Sequence, residues 1–578
     1  MSARRHPPVR VLSVSTAAAA GSPTGNAALR LFRLAAWAGA VLVLFAGLLL
    51  AITIPIHAID ALSYGEWSRL IGQTRDFHFA GISAQEYHRP LFYVLQGWLW
   101  GVFGFHEWIG RVLSLAFSVV LVGSVAWLAA RGPSWKTPAA VAALLVCLIP
   151  NVLQGIASGL TDVPLAALVA LTAALTWGMP EGRARPAALA LAGAATVLVK
   201  PTGLVALVAL GAAVLVGESV DRRTELRRSL APLAVGAGVA LLYDAVQAHR
   251  LGMGLLSFLT AGSTGYYADL ARSARTTELV GVQWLGSDLR PLVLFALAYT
   301  ALRVVRRDHR AAVVAGSISA PAFGVVLPVL VNGSGIVGPF DTAGHGLAFV
   351  VLCASLPLAW WCPPEAIPKR VWLERFAVLG LVALAVWLWF GAYDTRLGSA
   401  AWPGLVALVA ISFAPVIEGA AARFPIAVLA PGFVLIALLA YAYTDLDGLG
   451  EAQWKELRTL GVSGLFDGAR TRNIVQPQIS QVVALAGAEM GPTDRLASAD
   501  GQLRYFFPGR VFQGYPADCA ALREYRVFVL LTDEGTRAYM RDVAGVPDDP
   551  AYWAACKRPR LTQLSDGSGG YAVFRVER

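Results

Sequence analysis

One carboxylate carries most of the chemistry legible in this chain. Asp60 follows a long apolar run, Phe32 to Ile56, within the stretch His57-Ala-Ile-Asp-Ala-Leu-Ser-Tyr-Gly-Glu66. An acid at the mouth of a membrane helix is costly to hold there and marks a site by default. The residues after it are amphipathic instead of forming an immediate second span, which points to a reaction at the membrane surface. Asp162, His88, His345 and the pair Tyr266 and Tyr267 are the other groups able to hydrogen-bond or stack on a polar substrate. Each has a structural alternative. Asp60 can end a helix or hold a salt bridge, Thr161 or Asp162 can cap one, lone histidines often serve packing, and paired tyrosines anchor at interfaces.

These residues need a membrane scaffold to position them. Hydrophobic residues make up 56% of the 578-residue chain and charged ones 15%, with a mean hydropathy of +0.59, more apolar surface than a soluble core can hide. Arginine outnumbers lysine and alanine is abundant, which fits a G+C-rich bacterial coding bias better than nucleic-acid binding; no nucleic-acid partner is expected. The +10 net charge takes its meaning from topology. Arg30 and Arg33, then Arg131 and Lys136, Arg183 and Arg185, Arg222 to Arg228, Arg303 to Arg310, Lys369 to Arg375, and Arg423 gather at alternate ends of the apolar runs. That is the positive-inside pattern.

Threading the chain through the charges predicts a polytopic α-helical membrane protein of about thirteen spans. They run Phe32 to Ile56, Trp108 to Ala130, Pro138 to Gln154, Asp162 to Trp177, Pro186 to Val199, Gly203 to Val216 and Leu230 to Gln247, then Pro291 to Val305 and Ala311 to Val331. The last four are His345 to Trp361, Phe376 to Tyr393, Trp402 to Ile417 and Ile426 to Tyr443. Residues 1–28 read as a disordered cytoplasmic tail, 29–444 as the membrane domain, and 445–578 as an extracytoplasmic α/β domain. Strands are expected at Val527 to Leu531 and Tyr571 to Val576, with helices from Gln478 to Met490 and from Thr532 or Asp533 through Val543. An outward compartment would permit a bond between Cys519 and Cys556. Cys147, Cys353 and Cys362 read as small apolar residues, and no spacing resembles a zinc site.

The first outer loop, His57 to Glu107, is long without being hydrophilic. Leu62, Trp67, Leu70 and Ile71 predict one interfacial helix, and a second starts near Pro90 and carries Leu91, Phe92, Leu95, Trp98, Leu99 and Trp100. Such helices can wall a cleft open to both lipid and water, or simply anchor at the interface. A second long outer stretch, His249 to Arg290, holds Gly262, Gly265, Tyr266, Tyr267 and Asp269; loops of that length are often lids or binding elements.

Taken in order, the motifs carry a resemblance. Asp60 with Tyr64, His88-Arg-Pro-Leu-Phe-Tyr93, Gly104-Phe-His-Glu-Trp-Ile-Gly-Arg111, Thr161-Asp-Val-Pro-Leu165, Val199-Lys-Pro-Thr-Gly203, and Tyr393-Asp-Thr-Arg-Leu397 before Ala401-Trp-Pro403 are similar to the GT-C superfamily of glycosyltransferases. The closest pattern is the branch of protein O-mannosyltransferases and the lipid A aminoarabinose transferase, over nearly the whole chain. The resemblance implies a polyprenyl-monophosphate sugar donor, an outward active site and an acid in the first outer loop. Two departures stand out. Many relatives have adjacent Asp-Glu, whereas Ala61 follows Asp60 and any second acid is displaced to Glu66; and the family's Pro-Pro after a basic residue is Pro90-Leu91 here.

The implied chemistry has simple needs. A lipid phosphate is a good leaving group, so the site needs cations for its developing charge and a base for the acceptor's proton. Asp60 is the candidate general base; partial burial at the membrane mouth would raise its basicity. Arg89, Arg111, Lys200 and Arg396 are placed by topology at outer helix ends, against the positive-inside bias, and are the candidate phosphate holders, with snorkelling or structural pairing as the alternative. Tyr64, Glu66, His88, Asp162, Tyr266, Tyr267 and His345 are candidate substrate-binding groups. Base and leaving group on opposite faces give inversion. The scheme requires no cofactor, and a divalent metal is compatible with it but not called for. Donors of mannose or arabinose class, an acceptor hydroxyl on a glycan, lipoglycan or protein, and a bacterial plasma-membrane setting complete the expectation. Two rivals are a ligase using a lipid-diphosphate-linked glycan, which would not need Asp60, and a non-catalytic lipid-sugar flippase or transporter. Transport would call for midplane charges or paired broken helices, whereas these charges cluster at outer ends.

Overall fold

The computed structural model of the chain describes residues 23–53, 59–74, 89–106, 108–131, 135–216, 221–255, 290–306, 308–321, 370–390, 395–423, 477–500, 502–532, 550–565 and 570–577. Fifteen helices make up the membrane part of these residues: α1 Pro23–Thr53, α2 Ile59–Thr74, α3 Leu91–Phe103, α4 Trp108–Ala129, α5 Lys136–Cys147, α6 Pro150–Ser158, α7 Asp162–Gly178 and α8 Ala184–Val199. The rest are α9 Thr202–Val214, α10 Arg222–Glu225, α11 Ala231–Arg250, α12 Arg290–Arg306, α13 His309–Pro321, α14 Arg370–Phe390 and α15 Trp402–Arg423. A five-residue π segment, Leu226–Leu230, joins α10 to α11, and a 3-10 segment, Thr395–Ala401, leads into α15.

Four helical runs among the described residues are long and apolar enough to cross a membrane, Thr24–Leu49, Trp108–Ala129, Arg222–Arg250 and Gly398–Ala421. This is a multi-pass membrane protein. Two differences from the sequence reading have clear causes. The first helix starts at Pro23, inside the segment expected to be a tail, because Pro at a helix start loses no hydrogen bond that the end would have made. The third expected span, Pro138 to Gln154, is instead the pair α5 and α6, bent by 66°. Pro150 supplies no amide donor and pushes Ile149 out of the helical region, to φ −72° and ψ 112°. The expected spans His345 to Trp361 and Ile426 to Tyr443 lie outside the described residues, as does the helix expected after Thr532.

Helix ends sort by charge. At one end of the bundle Arg33 of α1 donates to Thr137 of α5, which donates to Glu418 of α15. Arg185 of α8 reaches the Thr176 carbonyl of α7 and Ser229 of the π segment. Arg131 lies 3.7 Å over the Trp127 ring, and Arg375 of α14 sits beside Trp177 of α7. These are the positions the positive-inside pattern assigns to one membrane face. Between the ends, small residues let helices touch. A Cβ on Gly236 of α11 would overlap the Ala190 carbonyl of α8, so backbone meets backbone there.

The C-terminal residues form the expected small α/β unit. Helix α16 spans Pro477–Glu489; β1 Leu496–Ser498, α17 Leu503–Phe506, β2 Val511–Gln513, β3 Val527–Leu531, α18 Pro550–Ala554, β4 Arg560–Gln563 and β5 Tyr571–Glu577 follow. The sheet order is β2-β1-β3-β5-β4, with β1 parallel to β2 and β3, and β5 antiparallel to β3 and β4. Both faces are covered, Ile479, Val482 and Ala486 packing on Val527, Val529 and Val573, and Trp553 on Phe528 and Phe574. Hence β3 reads as an unbroken apolar run instead of an alternating one. Cys519 and Cys556 are disulfide-bonded, their Cα atoms 5.7 Å apart.

Candidate active site

The candidate site lies at the end of the bundle opposite the arginine-rich one, where α2 and α3 lie between the close of α1 and the start of α4. Asp60 is the second residue of α2. With 3.6 residues per turn, Asp60, Tyr64, Trp67 and Ile71 occupy one stripe of the helix (i, i+4, i+7, i+11). Trp67 and Ile71 are buried in a cluster with Tyr93 of α3, Trp100, Ile109 of α4, Leu160 and Tyr505 of α17, against which Tyr243 of α11 packs. Through Trp67 and Ile71, α2 therefore meets four other helices and the connection into α7.

Three of the four predicted cations lie next to members of that cluster along the chain, or pair with a residue that does. Arg111, 1% exposed, donates from Nε to the Ala51 carbonyl at 2.7 Å. Ala51 lies in the last turn of α1, whose carbonyls have no partner within the helix, so the guanidinium ties α1 to α4. Its aliphatic stem lies near Gly159, just before Leu160. Lys200, which follows α8, donates to the carboxylate of Asp162 at the start of α7. Arg89, one residue before Pro90, pairs with Asp244 of α11 at 2.5 Å, the two side chains 3% and 0% exposed. The fourth cation, Arg396, lies in the 3-10 segment, and no side-chain contact of it is described.

The remaining predicted residues divide clearly. Asp162 binds Lys200 and caps nothing, since neither it nor Thr161 makes a side-chain cap bond. Glu66 is 3% exposed and its Oε2 lies 2.7 Å from Nε of Arg504 in α17, so the displaced second acid joins α2 to the C-terminal unit. His88, Tyr266, Tyr267 and His345 lie outside the described residues, and the side chains of Asp60 and Tyr64 do too. Asp244, Arg504 and Tyr505 are not among the residues that the sequence motifs mark. Asp244 carried a signal, being the lone acid of the apolar run Leu230 to Gln247, and an ionisable residue there marks a site by default. Arg504 and Tyr505 sit in an unremarkable soluble segment and had none.

The arrangement is electrostatically specific. A buried cation, Arg89, and a partly exposed one, Lys200, face carboxylates drawn from other helices, so neither charge is left uncompensated. An incoming phosphate could share those cations, guanidinium as a two-pronged donor and ammonium as a point charge. Among the described residues no group of three or more His, Cys, Asp or Glu could hold a metal ion.

No family model matches the chain, and no curated protein matches it. Among solved structures, the chain is similar to ArnT from Cupriavidus metallidurans bound to undecaprenyl phosphate, at 15% identity and a TM-score of 0.46, covering 96% of this chain and 98% of that one. It is also similar to the archaeal oligosaccharyltransferase AglB from Archaeoglobus fulgidus in complex with an inhibitory peptide and a dolichol-phosphate. There the identity is 14% and the TM-score 0.42, over 92% of this chain and 74% of that one. The likeness is coarse.

Proposed function

We propose that this protein is an inverting glycosyltransferase of GT-C type. It moves a sugar of mannose or arabinose class from a polyprenyl monophosphate to a hydroxyl of an extracytoplasmic glycan, lipoglycan or protein. The observation that supports the reading is that Arg89, Arg111 and Lys200 are held by groups on other elements next to the cluster in which Trp67 and Ile71 of the Asp60 helix are buried. Apolar helix faces would receive the lipid tail, and the cations its phosphate. Asp60 takes the proton from the acceptor oxygen as that oxygen bonds to the anomeric carbon. The bond from that carbon to the phosphate oxygen breaks, the electron pair leaving with the polyprenyl phosphate, whose charge the cations neutralise. Attack from the face opposite the leaving group inverts the anomeric centre. No metal is needed for any step. In this reading the C-terminal unit lies on the extracytoplasmic side of a bacterial plasma membrane, a reading its disulfide supports.

Purified protein in proteoliposomes, supplied with a radiolabelled polyprenyl-monophosphate sugar and an envelope extract, tests the reading. Transfer of label with release of polyprenyl phosphate, and the opposite anomer in product and donor, is the expected result. Turnover confined to a diphosphate-linked glycan would make it a ligase, and label crossing the bilayer with its sugar–phosphate bond intact would make it a transporter.

A further inference from the structure

Helix α2 is gripped from two sides by contacts that its composition is built to accept. On one side Gly72 lets α3 approach, where a Cβ would come 2.8 Å from the Gly97 carbonyl, and Ser68 donates to Gln96 at 3.3 Å. On the other side is the C-terminal unit. The Tyr505 ring, fully buried, lies so close to Gly65 that a Cβ there would overlap it. Arg69 donates to the Tyr505 carbonyl at 2.7 Å and lies 4.1 Å from the centre of the Phe105 ring. Arg504 pairs with Glu66 and sits 5.4 Å from the centre of the Trp67 ring. Two glycines in a helix of sixteen residues each cost about 1 kcal/mol of helix propensity against alanine, so α2 is held by these contacts and not by its own preference.

From these contacts we infer that Arg504 and Tyr505 are positioning residues: the C-terminal unit sets the place of α2, and with it Asp60, for proton transfer. The inference rests on the function proposed above. Glu66 lies six residues after Asp60, about 9 Å along the helix axis at ~1.5 Å per residue, so the grip falls within two turns of the base. Within the C-terminal unit the device is itself braced. Asp500 accepts from the Tyr571 hydroxyl of β5 at 2.7 Å and from the Gln502 amide at 2.8 Å, fixing the turn into α17. A rigid sheet is thereby connected through α17 to the helix that carries the acid. Misplacement of a reacting group by about 1 Å costs on the order of a hundredfold in rate, which sets the size of the effect.

Four variants in proteoliposomes test this: Arg504→Ala, Arg504→Lys, Gly65→Ala and Asp60→Asn. The expected result is a fall in kcat of about a hundredfold for Arg504→Ala and Gly65→Ala, counted per folded molecule. Donor KM and equilibrium binding of polyprenyl phosphate stay unchanged, hydrogen exchange across residues 59–74 rises, and Arg504→Lys recovers most of the rate. Normal kcat per folded molecule in both Arg504→Ala and Gly65→Ala, with Asp60→Asn inactive, overturns the positioning role and leaves the proposed function standing. Loss of donor binding in step with kcat also overturns it, placing Arg504 in the donor site. Wild-type turnover in Asp60→Asn removes the base and the inference with it.

Discussion

Replacing Asp244 with asparagine is the sharpest test of how this site stores charge. The Asp244 side chain is 0% exposed and that of its partner Arg89 3%, so neither charge can turn to water when the other is lost. Removing one member of a buried pair costs about 3–5 kcal/mol, because the survivor is left uncompensated. Asparagine keeps an oxygen that can accept a weaker hydrogen bond, which puts Asp244→Asn near the lower bound, about 3 kcal/mol. That is roughly a hundredfold change in the ratio of folded to unfolded protein. The structure supplies its own control in Arg228 and Glu181, paired at the other end of the bundle with side chains 54% and 63% exposed. An exposed pair contributes at most about 1 kcal/mol, so Glu181→Gln leaves stability nearly unchanged. Thermal unfolding of the solubilised protein, followed by tryptophan fluorescence in one buffer, compares them. The double change Arg89→Met with Asp244→Leu recovers much of the loss, since an apolar pair carries no desolvation penalty. Equal melting shifts for Asp244→Asn and Glu181→Gln would refute the buried pair.

Three further outcomes follow. Gly236→Ala drives a methyl into the Ala190 carbonyl and destabilises the protein by about 1–3 kcal/mol, the range for overpacking, read as a lowered melting temperature with normal donor affinity. Cys519→Ser with Cys556→Ser opens a link between residues separated by 37 positions. The chain-entropy relation puts its loss at about 4 kcal/mol, seen as proteolysis of the C-terminal unit at temperatures where the wild type resists. Lys200→Gln removes a charge-assisted contact worth about 1.5–3 kcal/mol and weakens equilibrium binding of polyprenyl phosphate by roughly 10- to 150-fold. Unchanged binding would show that Lys200 serves Asp162 alone.

Local patterns in the sequence translated well into elements. Amphipathic spacing placed α2 and α3 in the loop after the first span, and β3 and the start of β5 fall where the apolar runs do. Continuous apolar composition concealed the break before Pro150, since hydropathy averages across a residue that only backbone geometry makes decisive. Pairing was the least legible feature. Lys200 and Asp162 both stand out in the sequence, yet nothing in a linear chain says that residues 38 positions apart form a hydrogen bond. Arg89 and Asp244 are farther apart still, and the second acid expected to serve substrate, Glu66, is engaged by an arginine from the C-terminal unit. Long-range partners are set by helix packing, which periodicity specifies for each helix but not between helices.

The proposed reaction depends on Asp60 accepting the acceptor's proton during transfer from a polyprenyl-phosphate sugar. Single-turnover rates of wild type and Asp60→Asn, with donor bound to saturation in proteoliposomes, test it most directly. A general base contributes about 10²- to 10⁴-fold, so a fall of that size is expected, with donor affinity retained. A variant within a few-fold of wild type would contradict it.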